Sequence, residues 1–263
     1  MLLLVCILFR LSYLYRNVVI VIVNIRISFT LFIILGLLLI LTSGCKKEDN
    51  SNEIIFNPNL TYGTLTDIEG NVYKTITIGT QTWMAENLKT TKLNNGTALL
   101  ILSDNFAELV PCYSWLINDE AAFKNLYGAL YNFFAVNTGN LCPTGWHVPT
   151  NEQWETLVLT LDPGAEYNGS AFSQIAGGKL KEASSRHWYI PNTGATNESG
   201  FTALPGGSYN ADFGGASHLG YFWSSTAIDN DVASHWRMDF NTTQVHRLGI
   251  SKLVGFSIRC VKD

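Results

Sequence analysis

The chain has 263 residues, enough for one large domain or two small ones, and 47% of them are hydrophobic. It carries 17 basic and 21 acidic side chains, which give a formal net charge of −4 at pH 7. Nucleic acids select basic surfaces, so this balance argues against a nucleic-acid partner.

Residues 1–44 have the composition of a secretory signal peptide. They contain three arginines and no acidic residue, and residues 29–41 form an almost wholly apolar run. The run is followed by Thr42-Ser-Gly-Cys45, in which a cysteine comes directly after two small residues. This arrangement resembles the bacterial lipobox. The resemblance implies cleavage before Cys45 and acylation of its thiol by membrane lipid. The following Lys46-Lys-Glu-Asp49 resembles the export tag of surface lipoproteins, which implies an anchor in the outer membrane, at the cell surface.

A membrane-spanning anchor is the alternative, since residues 18–41 reach the length of roughly 20 residues that a span needs. Residues 45–65 are polar, rich in Asn and Ser, and are predicted to be a flexible tether. We therefore predict a signal peptide at 1–44, a tether at 45–65 and one folded domain at 66–263.

The folded domain is predicted to begin with a β-hairpin. Residues 71–79 are dominated by β-branched side chains, and residues 81–88 supply a returning strand. The two-residue link Gly79-Thr80 suits a tight hairpin connection.

Two or three helices are predicted in the middle of the chain. Residues 127–136 are apolar on nearly every face, which indicates a buried helix. Thr150 and Gln153 match a capping box at the start of a second helix, and Asp162-Pro-Gly ends it. Residues 173–183 are predicted to form a third, shorter helix.

The last third of the chain is predicted to be an antiparallel sheet, because turn residues separate short β-rich runs. These runs are 200–207, 220–226, 234–240, 244–248 and 253–261. Helices early and strands late predict an α+β fold with a twisted antiparallel sheet and long loops.

Outside the leader and Cys45, the chain has three cysteines, Cys112, Cys142 and Cys260. An exported protein permits a disulfide, and three thiols allow one pair. We favour Cys142 with Cys260, because both lie in segments typical of a core framework. Cys112 with Cys260 is the alternative.

Eight short motifs follow one another between residues 71 and 260. They are Asn71-Val-Tyr-Lys, Trp83-Met-Ala-Glu-Asn-Leu, Tyr127-Gly-Ala-Leu-Tyr, Cys142-Pro-Thr-Gly-Trp-His-Val-Pro, Ala176-Gly-Gly-Lys-Leu-Lys, Gly200-Phe-Thr-Ala-Leu-Pro-Gly-Gly, Phe222-Trp-Ser-Ser-Thr and Gly255-Phe-Ser-Ile-Arg-Cys. In this order they closely resemble the Fibrobacter succinogenes major paralogous domain (FISUMP) family. The resemblance covers residues 66–262 and implies an exported lipoprotein of the kind typical of the Bacteroidetes and Fibrobacteres.

A more distant resemblance links residues 149–155, 206–208 and the terminal Gly255-Phe segment to the formylglycine-generating enzymes. It implies a C-type-lectin-like mixed fold. The copper-dependent activity of those enzymes needs a cysteine pair after the Gly-Gly-Ser segment, and residues 209–215 contain no cysteine. The resemblance therefore implies the scaffold without that chemistry.

Other catalytic and metal-binding patterns are weak. The five histidines are spread singly without His-x-x-x-His spacing, and no Gly-x-Ser-x-Gly elbow is present. Asp229 and Asp231 flank Asn230 in a loop and offer oxygen atoms of the kind that calcium prefers. We favour a plain polar turn as the explanation of these residues. We expect no cofactor, with calcium at Asp229 and Asp231 as the alternative.

Ligand contacts are predicted in the loops. Trp115, Trp188 and Tyr189 lie between predicted elements, where exposed aromatic rings stack on sugars or contact proteins. Acidic side chains of the later loops complete the candidate set: Asp212, Asp229 and Asp231. The leading hypothesis is a non-catalytic surface lipoprotein that binds a polysaccharide or a protein through loops 184–218 and 227–233. An enzyme with an unfamiliar site and a structural envelope component are the competing hypotheses.

Overall fold

A computed structural model of the chain describes four long stretches, which are residues 53–102, 109–169, 171–210 and 212–263. It also describes three single residues, Tyr15, Arg16 and Arg26. Residues 51–263 form a compact unit of their own. Apart from those three single residues, the predicted signal peptide lies outside the described residues, and so does Cys45. Within the part of the chain that is described, no helix is both long and apolar enough to cross a membrane.

The described elements form a mixed α+β architecture, as predicted. The strands are β1 Gly63–Thr66, β2 Val72–Ile78, β3 Gln81–Met84, β4 Leu100–Ile101, β5 Cys112–Ser114, β6 Leu130–Tyr131, β7 Trp146–His147, β8 Ser208–Tyr209, β9 Phe213–Gly214, β10 Leu219–Ala227, β11 Val232–Asp239, β12 Val245–Ser251 and β13 Val261–Lys262. The helices are α1 Glu120–Tyr127, α2 Phe133–Val136, α3 Asn151–Leu161 and α4 Ala176–Leu180, with a 3₁₀ turn at Leu116–Asn118.

The first sheet joins the beginning of the domain to its end. Its strand order is β1-β2-β3-β13-β7, and every neighbouring pair is antiparallel. Residues 79 and 80 link β2 to β3, so the predicted hairpin is confirmed. The terminal strand β13 inserts between β3 and β7, with Val261 opposite both Trp83 and His147. The strand β13 therefore joins β3 and β7 into one continuous sheet.

A disulfide secures that terminal strand. The sulfur atoms of Cys142 and Cys260 are 2.00 Å apart, and their Cα atoms are 6.0 Å apart. Cys260 immediately precedes β13, and Cys142 lies shortly before β7, its neighbour in the sheet. The favoured pairing is confirmed. Cys112 is buried in β5 and takes no part in this bond.

The second sheet contains three of the predicted late strands, in the antiparallel order β10-β11-β12. Helix α3 packs against it. Thr150 and Gln153 form the predicted capping box at the start of α3. Trp154 of α3 stacks on Trp236 of β11, with ring centroids 5.7 Å apart and planes at 16°. The apolar face of α3 and one face of the sheet therefore share one core.

The single helix predicted over residues 127–136 is wrong. Helix α1 ends at Tyr127, Gly128 turns with φ +67°, and a strand and a one-turn helix follow. A side chain at Gly128 would lie 2.5 Å from the carbonyl oxygen of Leu88, so only glycine allows this approach. Two backbone amides, of Ala129 and Tyr131, donate to Leu88 and Phe256 instead of to the preceding turn. These long-range bonds end the helix, although the predicted burial of the segment is correct.

Two of the predicted late strands are also wrong, because residues 200–207 and most of 253–261 are irregular. Both segments are buried, but they touch several neighbours through isolated bridges, such as Ala203 with Lys181 and Ser257 with Phe222. The helix predicted over 173–183 is shorter, at 176–180. A side chain on Gly178 would approach the carbonyl oxygen of Gly194 to 2.3 Å, so α4 packs directly against loop backbone.

The predicted boundary between tether and domain at residue 65 is too late. Ile54 is buried among side chains that include Leu126 and Leu204. The backbone amide of Ile55 donates to the Glu182 carboxylate at 2.7 Å, and the Asn57 side chain donates to a loop carbonyl. The packed part of the domain therefore includes Ile54 and Ile55.

Candidate functional site

The three aromatic candidates are placed differently. Trp115 and Trp188 are only 3% and 1% exposed, so the prediction that they present rings to solvent is wrong. Trp188 donates from Nε1 to the carbonyl oxygen of Ala203 at 2.9 Å and packs in the core. Tyr189, the next residue, is 58% exposed. Of the three rings, Tyr189 alone remains a candidate for ligand contact.

Tyr189 borders a cleft of about 410 Å³, which we call the Tyr189 cleft. The residues that line it come from two loops: Ser185, Arg186, His187, Trp188, Tyr189, Ile190 and Ser217. All of them fall within the predicted binding loop 184–218. Its volume lies in the range of about 300–1,000 Å³ that is usual for small-molecule sites.

The exposed tyrosine ring is supported from behind. It stacks on the His218 imidazole, with centroids 4.7 Å apart and planes at 20°. Phe240 contacts both rings edge-on, at 5.6 Å from Tyr189 and 5.0 Å from His218. The ring is therefore held in one orientation while much of its surface stays open to solvent.

The backbone of the loop is fixed as well. The amide of Tyr189 donates to the carbonyl oxygen of Ser217 at 2.7 Å, which ties the two walls of the cleft together. The side-chain amide of Asn192 donates to the carbonyl oxygens of Glu182 and Ser184, at 2.9 and 2.8 Å. A ligand would therefore meet a site that is formed before binding, which lowers the entropic cost of association.

A buried acid and imidazole lie beneath the cleft. Glu182 is fully buried, and its carboxylate accepts from His187 Nδ1 at 2.8 Å, from the Ser184 hydroxyl and from the amide of Ile55. This pair resembles the orienting half of a catalytic triad. The Ser184 hydroxyl donates to Glu182 itself, and the Ser217 hydroxyl is hydrogen-bonded to Tyr127. The Glu182 carboxylate therefore holds together the segments that contain Ile55, Glu182 and His187.

A buried lysine supports the same region. The Lys181 ammonium donates to three backbone carbonyl oxygens, those of Thr193, Asp239 and Thr242, at 2.9–3.1 Å. It also lies over the Trp188 ring, 5.3 Å from its centroid. Burial away from water lowers the pKa of Lys181 to about 8. This cation joins loop 193 to the end of β11 beneath the cleft.

The acidic candidates form turns and are not brought into the Tyr189 cleft. Asp229 Oδ1 accepts from the backbone amides of Asp231 and Val232 at 2.8 and 2.7 Å, and these hydrogen bonds lower the pKa of Asp229. The Lys252 ammonium binds the carbonyl oxygens of Asp229 and Asn230 at 2.7 and 3.0 Å. One oxygen of the Asp229 carboxylate is thus engaged within the turn, and two backbone carbonyl oxygens of the turn are engaged by Lys252. Asp212 is exposed and caps the amide of Phe213.

Residues 53–263, outside the three internal gaps, contain no group of three His, Cys, Asp or Glu side chains that could hold a metal ion. His147 bridges Asp263 and Gln153, at 2.6 and 2.9 Å, and so ties the chain terminus to α3. His235 is buried among aromatic rings.

The sheets, the helices and the Tyr189 cleft together define an α+β domain with a preformed, partly aromatic cleft on its surface. The chain belongs to the family described as the Fibrobacter succinogenes major domain, whose model matches residues 76–262. This match confirms the resemblance that the eight motifs indicated. Comparisons with curated proteins and with solved structures found no match.

Several residues of the site escaped the sequence analysis. His218 and Ser217 sit in a Gly/Ser-rich stretch with no regular pattern, and nothing local shows that they face Tyr189. Glu182 and Lys181 follow the apolar residue Leu180 directly. Charged side chains next to a buried helix indicate an internal network of ion pairs or hydrogen bonds. The sequence shows this pattern at Lys181 and Glu182.

Proposed function

We propose that the protein is a non-catalytic surface lipoprotein, anchored in the outer membrane through Cys45, which binds a polysaccharide in the Tyr189 cleft. The observation that carries the proposal is the Tyr189 ring, 58% exposed yet stacked against His218. The apolar C–H face of a sugar ring packs well on such a surface. Ser185 and Arg186, which also line the cleft, add donors for sugar hydroxyls.

The proposal includes a C-type-lectin-like fold but no calcium dependence. The mixed α+β architecture and the pairing of early with terminal strands support such a fold. The Lys252 ammonium argues against calcium, because it already binds the carbonyl oxygens of Asp229 and Asn230 and would repel a second cation. Catalysis is not part of the proposal, since the cysteine pair of the formylglycine-generating enzymes is absent after Ser208.

A protein ligand is the second candidate, and one observation favours it. Ile190 is 70% exposed directly beside Tyr189. An exposed aliphatic side chain next to a tyrosine and an arginine is a common composition at the centre of protein interfaces. A sugar would use the ring without needing Ile190, so the two candidates predict different results for substitutions at this residue.

Replacing Tyr189 by alanine is expected to weaken polysaccharide binding by about tenfold or more. The physical reason is the loss of an aromatic contact, which contributes roughly 0.5–1.5 kcal/mol beyond the area it buries. The whole chain, purified in detergent, would be applied to a glycan array with and without calcium. The glycans that bind would then be titrated against the variant.

Two matched variants separate the explanations. Tyr189→Phe keeps the ring and should retain binding. Ile190→Ser should lower glycan affinity much less than Tyr189→Ala does, but it should reduce capture of a protein from envelope extract if the ligand is a protein. The binding proposal is wrong if folded Tyr189→Ala binds glycans with unchanged affinity. It is also wrong if the wild-type protein binds no glycan on the array and captures no protein from envelope extract.

The lipid anchor gives a separate prediction. Cys45→Ala is expected to abolish incorporation of labelled palmitate into the protein, because the acylated thiol is removed. Cys6→Ala serves as the control, since Cys6 lies in the leader that cleavage before Cys45 removes. Undiminished labelling of Cys45→Ala would refute the anchor without affecting the proposal for the Tyr189 cleft.

A further inference from the structure

The segment that leads to the proposed lipid anchor joins the domain directly behind the Tyr189 cleft. The backbone amide of Ile55 donates to Glu182 Oε1 at 2.7 Å. His187 Nδ1 donates to the same oxygen at 3.0 Å, and His187 lines the cleft. The start of the domain and the wall of the cleft therefore lie within two hydrogen-bond lengths of each other.

This attachment restricts the orientation of a domain that is anchored through Cys45. Nine residues separate Cys45 from Ile55, and a segment of that length extends to at most about 35 Å. A domain of about 200 residues is about 40 Å across, which is more than the segment can span. The side of the domain that carries the Tyr189 cleft would therefore be kept from pointing directly away from the bilayer.

The exposed residues of the cleft are of the kinds found at membrane interfaces. Tyr189 is 58% exposed and Ile190 is 70% exposed, and Arg186 and Pro191 are exposed beside them. Tyrosine rings and arginine side chains settle among lipid head groups, while aliphatic side chains enter the apolar boundary below. Of the described residues, seven line the cleft, and none of them has a carboxylate that would be repelled by lipid phosphates.

A free polysaccharide would use only part of this surface. Its sugar would pack on the Tyr189 ring and would leave the neighbouring Ile190 side chain in water. A sugar that is linked to a lipid also brings apolar CH₂ groups close to the ring, and burial of Ile190 against them is favourable. One ligand of this kind accounts for the exposed ring, the exposed aliphatic side chain and the short connection to the anchor.

We infer that the Tyr189 cleft binds the carbohydrate head group of a glycolipid in the membrane that holds Cys45, while the Ile190 side chain enters the lipid boundary. This inference rests on the proposed glycan binding and on the proposed anchor, and it names the source of the glycan. The segment between Cys45 and Ile55 then keeps the site at the level of the head groups.

The test uses the whole chain, reconstituted through its own anchor into phosphatidylcholine vesicles. The probe is the glycan that binds best on the array, conjugated to phosphatidylethanolamine. Vesicles that contain phosphatidylglycerol instead of the conjugate control for charge. Ile190→Cys carries an environment-sensitive dye. Ile228→Cys is the matched control, because Ile228 is 57% exposed in the turn between β10 and β11 and does not line the Tyr189 cleft.

The dye at residue 190 should be quenched by a lipid with a nitroxide near its head group when the conjugate is present. Excess free glycan should reverse this quenching, and the dye at residue 228 should not respond. Adding Tyr189→Ala to the labelled Ile190→Cys protein should raise the content of conjugate needed for half-maximal quenching by about tenfold, since the aromatic contact is lost.

The inference is overturned if the dyes at residues 190 and 228 are quenched equally, or if phosphatidylglycerol acts as well as the conjugate. It is also overturned if the conjugate changes nothing at residue 190 although the same glycan binds on the array. In that case glycan binding in the Tyr189 cleft stands, and only its membrane source is wrong. Absence of any glycan binding on the array would instead refute the proposed glycan site, and this inference with it.

Discussion

Replacement of Arg259 by leucine is expected to lower the free energy of unfolding by about 4 kcal/mol or more. Arg259 is fully buried and donates through Nε to Asn87 Oδ1 at 2.6 Å. Its two terminal nitrogens donate to the carbonyl oxygens of Met84, Phe201 and Thr202, at 3.1, 2.7 and 2.9 Å. Leucine would leave these four acceptors buried without donors, and each costs about 1 kcal/mol at the low end of measured values.

The effect is large because this cation acts as a connector. The planar guanidinium joins the end of β3 to the segment at 201–202, and no carboxylate hydrogen bonds with it in the described structure. Burial lowers the pKa of Arg259 to about 9, which leaves the side chain charged at neutral pH. Since whole domains have only about 5–15 kcal/mol of stability, the variant should be close to unfolding.

Urea unfolding of the purified chain measures this prediction. Arg259→Lys should be intermediate, because a lysine ammonium satisfies some of the acceptors but lacks the planar fork. Lys262→Met, an exposed site on β13, should change stability by no more than about 0.5 kcal/mol. A loss below 1 kcal/mol in Arg259→Leu would show that the acceptors find water or new partners.

The free energy of unfolding is expected to fall by about 3 kcal/mol in acid because of His235 alone. Replacing His235 by phenylalanine is expected to remove most of that fall. His235 is 2% exposed and packs beside Tyr221, Trp223 and Phe256, with ring centroids 5.7, 6.3 and 4.9 Å away. Its Nδ1 finds no hydrogen-bond partner within the described structure. Burial lowers the pKa of His235 from 6.5 to about 4, and the positive charge of Arg237 adds to this.

The sign of the pH effect follows from that lowered pKa. Between pH 6.5 and about 4 the unfolded chain binds a proton at His235 that the folded chain does not bind. The neutral imidazole therefore contributes its full stabilisation above pH 6.5, and this contribution is lost as the pH falls to about 4. A pKa difference between 6.5 and about 4 corresponds to about 3 kcal/mol over that window.

Free energies of unfolding measured from pH 7 to pH 4.5 would compare the wild type with two variants. His235→Phe should show a shallower decline with acid and should match or exceed wild-type stability at pH 7, because it also removes an unpartnered polar atom. His235→Gln should show the same shallow decline at lower overall stability. Parallel declines in all three proteins would mean that other groups, such as carboxylates, cause the acid sensitivity.

Prediction from the sequence succeeded where neighbouring residues carry the information. The hairpin at residues 79–80 needs only a two-residue turn between β-rich runs. The capping box of Thr150 and Gln153 is complete within four residues. These features depend on local hydrogen bonds and on which side chains are apolar, and both can be seen in the sequence.

Prediction failed where distant parts of the chain compete for the same backbone groups. The helix predicted over residues 127–136 is broken because amides of this segment bond to Leu88 and Phe256. Trp115 and Trp188 lie in irregular segments, yet both are buried, since irregular backbone can be packed when its polar groups find partners. Propensity at one position cannot show which remote segment will supply those partners.

By itself, the sequence determined the family and the α+β class. It favoured the Cys142–Cys260 pairing, which the structure contains, and it indicated the stretch of loop in which the Tyr189 cleft lies. Only the tertiary structure decided that Tyr189 is exposed while its neighbour Trp188 is buried. That choice depends on contacts between residues far apart in the chain, such as Ile55 with Glu182 across 127 positions. Local patterns record how each segment can fold, whereas the exposure of a side chain depends on what the rest of the chain places against it.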